Sequence, residues 1–162
     1  MTNKTLKIYW QSECRNLLND IKGHMEEVFG LVIVLAGELE PPASALDLNR
    51  QQYDVNYLLP VLENDGLSLW ILNVDISDPT HIFLYGVASD KKAIASAFRT
   101  GNDENFLKEV CHEVGHMMGL DHCRNKCLMQ TSRNIKQLDK KPLYLCNKCT
   151  KNVEKKLTQI TK

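Results

Sequence analysis

The chemistry of this chain is concentrated in residues 112 to 123, which read His-Glu-Val-Gly-His-Met-Met-Gly-Leu-Asp-His-Cys. On an α-helix His112 and His116 stand one turn apart on one face, so two neutral imidazoles can converge on one ion at about 2.0–2.1 Å. Glu113 is poorly placed to ligate the same ion, but it can reach a water bound there and accept its proton as general base. Gly119 has no Cβ, so at positive φ it can stop the helix and turn the chain until His122 returns as a third ligand. Three protein ligands leave zinc one open tetrahedral position, where water acidifies toward a pKa of about 7. The chemistry expected is hydrolysis at a zinc ion.

A second set of donors follows at once. Cys123 and Cys127 form one chelating pair, and Cys146 and Cys149 form a tight CxxC hook after a loop of 18 residues. Four thiolates close a tetrahedron around zinc at about 2.3 Å and leave no open position, which is the pattern of a structural site. Because His122 and Cys123 are adjacent, a rigid second site would also fix the third ligand of the first. Two zinc ions per chain are therefore expected, one catalytic and one structural.

The extended HExxHxxGxxH pattern resembles the metzincins, and the Cys directly after the third His narrows the resemblance to the archaemetzincins. In that family the pattern continues with a second Cys, a Met two residues later and a distal CxxC, here Cys127, Met129, Cys146 and Cys149. The Phe-Leu-Lys-Glu-Val block before Cys111 and His112 matches as well. Three residues separate Cys123 from Cys127 where the family has four, and the stretch from Met129 to Cys146 is one residue shorter than usual. The resemblance implies a zinc metallopeptidase, with Met129 packed in a tight turn beneath the zinc and not ligating it. It also implies a mixed, twisted sheet with packed helices above a small lower part, and a peptide lying antiparallel to an edge strand above the metal.

The elements that position these groups can be read along the chain. Residues 5–10 alternate apolar and polar as a half-buried first strand. Ser12 can cap a helix whose apolar stripe runs from Cys14 to Phe29 and ends at Gly30. The run Leu31 to Leu35 has the pattern of a central parallel strand buried on both faces. A second helix is expected from about Asn49 to Leu62, with Pro60 as a complication. Three strand-like segments follow, residues 67–75, 81–88 and 93–98. Their short turns suggest antiparallel neighbours, while the two earlier strands, joined through a helix, should run parallel. Asn102 or Asp103 can cap the helix carrying His112, which packs through Leu107, Val110, Cys111, Val114, Met117 and Met118. A short terminal helix is expected through Val153, Leu157 and Ile160. The fold class is α/β (α+β), with a mixed, roughly five-stranded sheet. The chain should form a single metallopeptidase domain, an upper part over residues 1–119 and a zinc-stabilised lower part over residues 120–162. Cys14 and Cys111 read as core thiols, His24 and His81 as surface residues, and Glu109 as solvated or capping, with a position facing the site as the alternative.

Composition bounds the rest. Hydrophobic content of 43% and charged content of 25% are those of an ordinary globular protein. A formal net charge of zero gives no electrostatic case for nucleic acid or an acidic membrane. Residues 1–7 lack the apolar run of a signal peptide, and no 18 apolar residues occur together, so a cytoplasmic monomer acting on peptides or proteins is expected. In that compartment six cysteines argue for metal or free thiols rather than disulfides. Two alternatives remain open from the residues alone. One is a zinc-dependent endoribonuclease, which shares the three-His spacing but does not need Glu113 or four cysteines. The other is a non-catalytic zinc-stabilised interaction module.

Overall fold

A computed structural model describes residues 5–160; residues 1–4, residues 161–162 and the side chain of Ile160 lie outside the described residues. The strands are β1 (Thr5–Trp10), β2 (Val32–Glu38), β3 (Leu46–Asp47), β4 (Gln52–Asp54), β5 (Leu67–Leu72), β6 (Ile76–Asp78), β7 (His81–Leu84), β8 (Gly86–Ser89) and β9 (Lys92–Ser96). The helices are α1 (Leu18–Phe29), α2 (Val55–Leu58), α3 (Asp103–Met117), α4 (Ile135–Lys140) and α5 (Asn147–Ile160). A five-stranded mixed sheet has the order β2-β1-β5-β9-β8, and a smaller four-stranded sheet has the order β3-β4-β6-β7.

Period-two alternation splits the large sheet between two cores. From β5 and β9, Leu69, Ile71, Ala93 and Ala95 face a core shared with α1 and α3, which contribute Ile21, Met25, Phe29, Phe106, Val110 and Val114. Trp70, Leu72 and Ile94 face the opposite way and meet Val55, Leu58 and Ile76. All six residues of β5 are buried, so β5 is the strand sealed on both faces. Each fully buried large aliphatic residue here, such as Ile71, contributes about 1.5–3 kcal/mol, and truncating it to Ala costs about 2–5 kcal/mol.

The expected five-stranded sheet is present, with several corrections in its parts. The run after Leu31 is not central: β2 is an edge strand, with Val32 59% and Val34 41% exposed. An apolar run does not encode whether a strand has one neighbour or two. The β1–β2 pair is parallel, as the helical connection implies. The expectation of antiparallel neighbours holds for segments 81–88 and 93–98, through β8–β9, but segment 67–75 pairs parallel with 93–98 as β5–β9. Segment 81–88 divides into β7, which pairs antiparallel with β6 in the smaller sheet, and β8 in the larger one. The helix expected from Asn49 to Leu62 shrinks to α2 and a 3-10 turn, Leu59–Val61. Backbone N–H groups of Asn49 and Arg50 bond Asp47, residues 52–54 pair as β4, and Asp54, accepting from the Asn56 N–H, caps a helix that begins only at Val55. Ser12 does not cap α1; a 3-10 turn, Ser12–Leu17, leads into the helix, which ends at Gly30 with φ 63° as expected.

α3 starts at Asn102, whose side chain accepts from the Asn105 N–H, and Asp103 and Glu104 in its first turn favour the helix dipole. It lies against β8 and β9, so the residues aligned with His112 along the helix meet the sheet edge. α4 is locked onto α3 from below. Lys108 Nζ donates to the carbonyls of Leu138 and Asp139 at 3.1 and 3.0 Å, and Asn105 Nδ2 donates to Asp139 at 2.6 Å. α5 returns beside α1, with Val153 buried.

Candidate active site

The structure brings His112, His116 and His122 together, with one nitrogen of each lying within 4.8 Å of the others. α3 carries the first two. At Gly119, φ of 84° turns the chain out of the helix, and His122 follows three residues later. His116 Nδ1 donates to the Leu120 carbonyl at 2.8 Å, and His112 Nδ1 donates to the Leu128 carbonyl at 3.1 Å. Lys141 Nζ lies 3.3 Å from the same Nδ1 of His112. A carbonyl can only accept, so the proton belongs on Nδ1 and the lysine acts as a charge behind the ring.

Both Nε2 lone pairs therefore face one another across 3.1 Å. Burial pushes the His112 imidazole down to about 2 and lowers that of His116, so a proton shared between them is disfavoured. A metal cation fits instead: a tetrahedral ion with ligands at 2.0–2.1 Å has donor–donor edges of about 3.3 Å.

Glu113 is 6% exposed, and its carboxyl is pushed well above the usual range by burial first and by the neighbouring Glu109 carboxylate second. Lys141, 2% exposed, opposes that shift with its positive charge. Gly86 in β8 passes directly over the pair: a Cβ there would stand 2.8 Å from Glu113 Cγ and 3.2 Å from Glu109 Oε1. These groups open onto a cleft of about 530 Å³, bounded above by residues 80–86 and below by Thr131, Ser132 and Arg133. Along the upper rim β7 pairs only with β6 among the described residues, leaving its other edge free. Arg50 and Gln52 hold the Ile82 carbonyl at 3.2 and 2.8 Å.

The four cysteines also converge. Sγ atoms of Cys123, Cys127, Cys146 and Cys149 lie within 4.8 Å of one another, and Cys123 and Cys146 are 3.8 Å apart. The edge of a zinc tetrathiolate tetrahedron is about 3.8 Å, so the donor set fits that ion. Cys127 Sγ accepts from the N–H groups of Met129 and Cys146 at 3.4 and 3.3 Å, which suits a thiolate. The Cys123 N–H donates to the Met129 carbonyl at 2.9 Å, joining the thiol cluster to the turn beneath the histidines. Met129 is fully buried there. Cys14 and Cys111 are buried in the core and belong to neither donor set.

Several residues depart from their sequence reading. Glu109 is 5% exposed and lines the cleft, neither solvated nor capping; its position four residues before Glu113 was the available signal. Lys141 had no signal, because only the docking of α4 brings it to α3. His24 is buried, bonding the Leu143 carbonyl at 2.8 Å and packing on Tyr144. His81 is exposed as expected, pairs with Asp78 at 2.8 Å, and borders the cleft.

Comparison with known proteins places this architecture among relatives. The family model of Peptidase family M54 matches residues 93–155. The archaemetzincin of Nanoarchaeum equitans is 38% identical over 124 residues, 74% of this chain and 73% of that protein. The archaemetzincin of Pyrococcus horikoshii is 34% identical over 167 aligned positions, 89% of each chain. Among solved structures, the archaemetzincin of Archaeoglobus fulgidus complexed with malonate superposes with a TM-score of 0.85 at 24% identity, covering 91% of this chain and 99% of that one. That of Methanopyrus kandleri gives 0.85 at 24% identity, covering 95% of each. At that identity the superpositions establish the fold.

Proposed function

Because this chain belongs to the archaemetzincin family and is a zinc metallopeptidase, we propose that it hydrolyses peptide bonds in the cleft beneath β7, with His112, His116 and His122 as zinc ligands and Glu113 as general base. The carrying observation is the pair of Nε2 lone pairs held 3.1 Å apart beside a buried carboxyl.

A zinc ion bound there would polarise the scissile carbonyl and make water a nucleophile near neutral pH. The chain's own residues do the rest. The Leu120 and Leu128 carbonyls fix the ring orientations of His116 and His112. Glu113 takes a proton from the attacking water and passes it to the leaving amine. Burial against Gly86 keeps that carboxyl from bulk water, and Lys141 offsets the combined negative charge of Glu109 and Glu113. The free edge of β7 offers backbone groups to which an extended peptide adds as an antiparallel strand. Cys123, Cys127, Cys146 and Cys149 would hold a second, structural zinc, giving two per chain, and Met129 fills space beneath the catalytic ligands. In this reading residues 1–119 and 120–162 are the upper and lower parts of one metallopeptidase domain, acting as a cytoplasmic monomer. No helix among the described residues is long and apolar enough to cross a membrane.

The test is an unbiased cleavage profile: zinc-loaded protein incubated with a peptide library and, separately, with structured RNA. Peptide cleavage that disappears with chelator is expected. RNA cleavage with intact peptides would overturn the reading.

A further inference from the structure

A net charge of zero conceals a strong separation. Residues 120–162 carry eleven Lys and Arg against three Asp and Glu, whereas residues 1–119 carry nine against seventeen. Counting Lys, Arg, Asp and Glu alone, the chain is about eight charges positive after Gly119 and eight negative before it; four thiolates around one Zn²⁺ would bring the first figure to about six. The structure sharpens the asymmetry. All five ion pairs among the described residues lie between Lys7 and Arg99, and the exposed Arg124, Lys126, Arg133 and Lys148 pair with no carboxylate among the described residues.

These cations flank the candidate active site. The cleft is bordered below by Arg133 and by Ser132, whose buried Oγ has no hydrogen-bond partner. A second cavity of about 380 Å³, also bordering His122, is lined by Arg124 and Lys148 together with Asp121, Asn125 and Asn152. Both cavities border His122, so a chain crossing the histidines meets exposed Arg133 on one side, with Glu109 and Glu113 buried beside Lys141 deeper in the cleft, and on the other Arg124 and Lys148 against the single carboxylate of Asp121. The upper rim between Thr80 and Gly86 carries no charged group apart from His81, which Asp78 already engages, and it exposes Ile82.

We propose that the preferred substrates are polypeptide segments rich in Asp and Glu, guided to the cleft by the basic surface of the chain after Gly119. This rests on the cleft being the peptidase site. Unpaired like charges around a concave site raise the local concentration of opposite charge and accelerate encounter, by about 10 to 10³ where steering is strong. The acidic remainder of the molecule repels the same substrates, so they approach from the lower side. A polypeptide is favoured over a polynucleotide because the family is a peptidase family and the free edge of β7 suits an extended peptide backbone.

The test compares two peptide sets of equal length, one with Asp and Glu and one with Ser and Gln at the varied positions, cleaved by zinc-loaded full-length protein. The expected result is kcat/KM at least about tenfold higher for the acidic set at low ionic strength, converging with the neutral set as NaCl rises from about 0.05 to 0.5 M. The ratio should fall toward one in Arg133→Glu and in Lys148→Glu. Zinc content and melting temperature are measured alongside, so that a damaged fold is not read as lost preference. Equal cleavage of both sets, independent of salt, overturns this proposal and leaves the peptidase reading intact. Failure to cleave either set overturns the peptidase reading and this proposal with it. If a single-stranded RNA oligonucleotide binds more tightly than the acidic peptides and blocks their cleavage, the basic surface is a nucleic-acid surface. If low salt drives self-association with no peptide preference, it serves a second copy of the chain; either result overturns the proposal.

Discussion

The Sδ atom of Met129 occupies the space that a Cβ on Gly115 would need. Gly115 lies inside the helix turn between His112 and His116, so the bareness of α3 at that point admits the methionine beside these two histidines. Gly115→Ala should therefore displace Met129 and lower stability by about 1–3 kcal/mol, the usual cost of overpacking. Met129→Ala creates a cavity and is destabilising alone, but the double variant should be more stable than the sum of the two losses. Thermal melts of the four proteins measure this coupling; strict additivity contradicts the packing relationship.

The metal clusters should differ in what their loss does. Cys149→Ser removes one thiolate of a closed set and should lower zinc content by one and reduce melting temperature markedly, since the segment from Cys123 to Cys149 has little apolar core besides Cys127, Leu128, Met129 and Leu138. His116→Ala should abolish hydrolysis while leaving the Cys-bound zinc in place. Elemental analysis with melting curves separates the cases, and equal small changes in both variants would sink the structural assignment.

How much of this was legible in the sequence depended on distance along the chain. Within α3 the helical period alone aligns His112 with His116 and sets Glu113 beside them, and Gly119 announces its own turn. The thiol hook from Cys146 to Cys149 is similarly local. Lys141 illustrates the opposite case. It reaches His112 and the two glutamates only because Lys108 and Asn105 clamp the end of α4, and nothing in a Lys-Lys-Pro stretch encodes that docking. The edge position of β2 and the break of the helix expected after Asn49 were likewise hidden. The first depends on strand order and the second on Asp47 and Asp54 competing for backbone N–H groups.

Lys141 is open to direct test. Lys141→Met keeps the length of the side chain but leaves Glu109 and Glu113 without a nearby cation, and removing one partner of a buried charge cluster typically destabilises by about 3–5 kcal/mol. Adding Glu109→Gln removes one of the stranded charges and should recover part of that loss. Denaturant melts of the single and double variants decide it; a Lys141→Met protein as stable as wild type would show that the ammonium does not balance the carboxylates.

Acid should weaken the metal-free protein for a calculable reason. His112 and His116 are held below their ordinary value of 6.5 by burial, so on acidification the unfolded chain takes up protons that the folded chain does not. Their contribution is complete above about pH 6.5 and declines as pH falls below it. Glu113 has the opposite sign, because its raised folded value makes the native state the better proton acceptor above its ordinary 4.5. Between pH 6.5 and 4.5 the two imidazoles outweigh the one carboxyl, and net stability should fall by no more than about 1.4 kcal/mol per pH unit. Denaturant melts of chelator-treated protein across that range measure the slope. Stability that rises on acidification would contradict the imidazole burial.

Glu113→Ala isolates the proposed base. Glu113 shares the cleft with the histidines, but its carboxyl is absent from the set of donors that converge on one point. The variant should therefore fold, retain its zinc and bind peptides with unchanged affinity. Its burial is costly in the wild type, where the carboxyl sits beside Glu109, so truncation is expected to preserve or raise the melting temperature. Hydrolysis should fall by about 10²–10⁴, the contribution of a positioned general base, and added zinc should not restore it. Peptide cleavage and bound metal are measured together at neutral pH. A variant that cleaves at the wild-type rate with its zinc in place would show that the proton goes elsewhere, and Glu109 would then be the remaining carboxylate in the cleft to test.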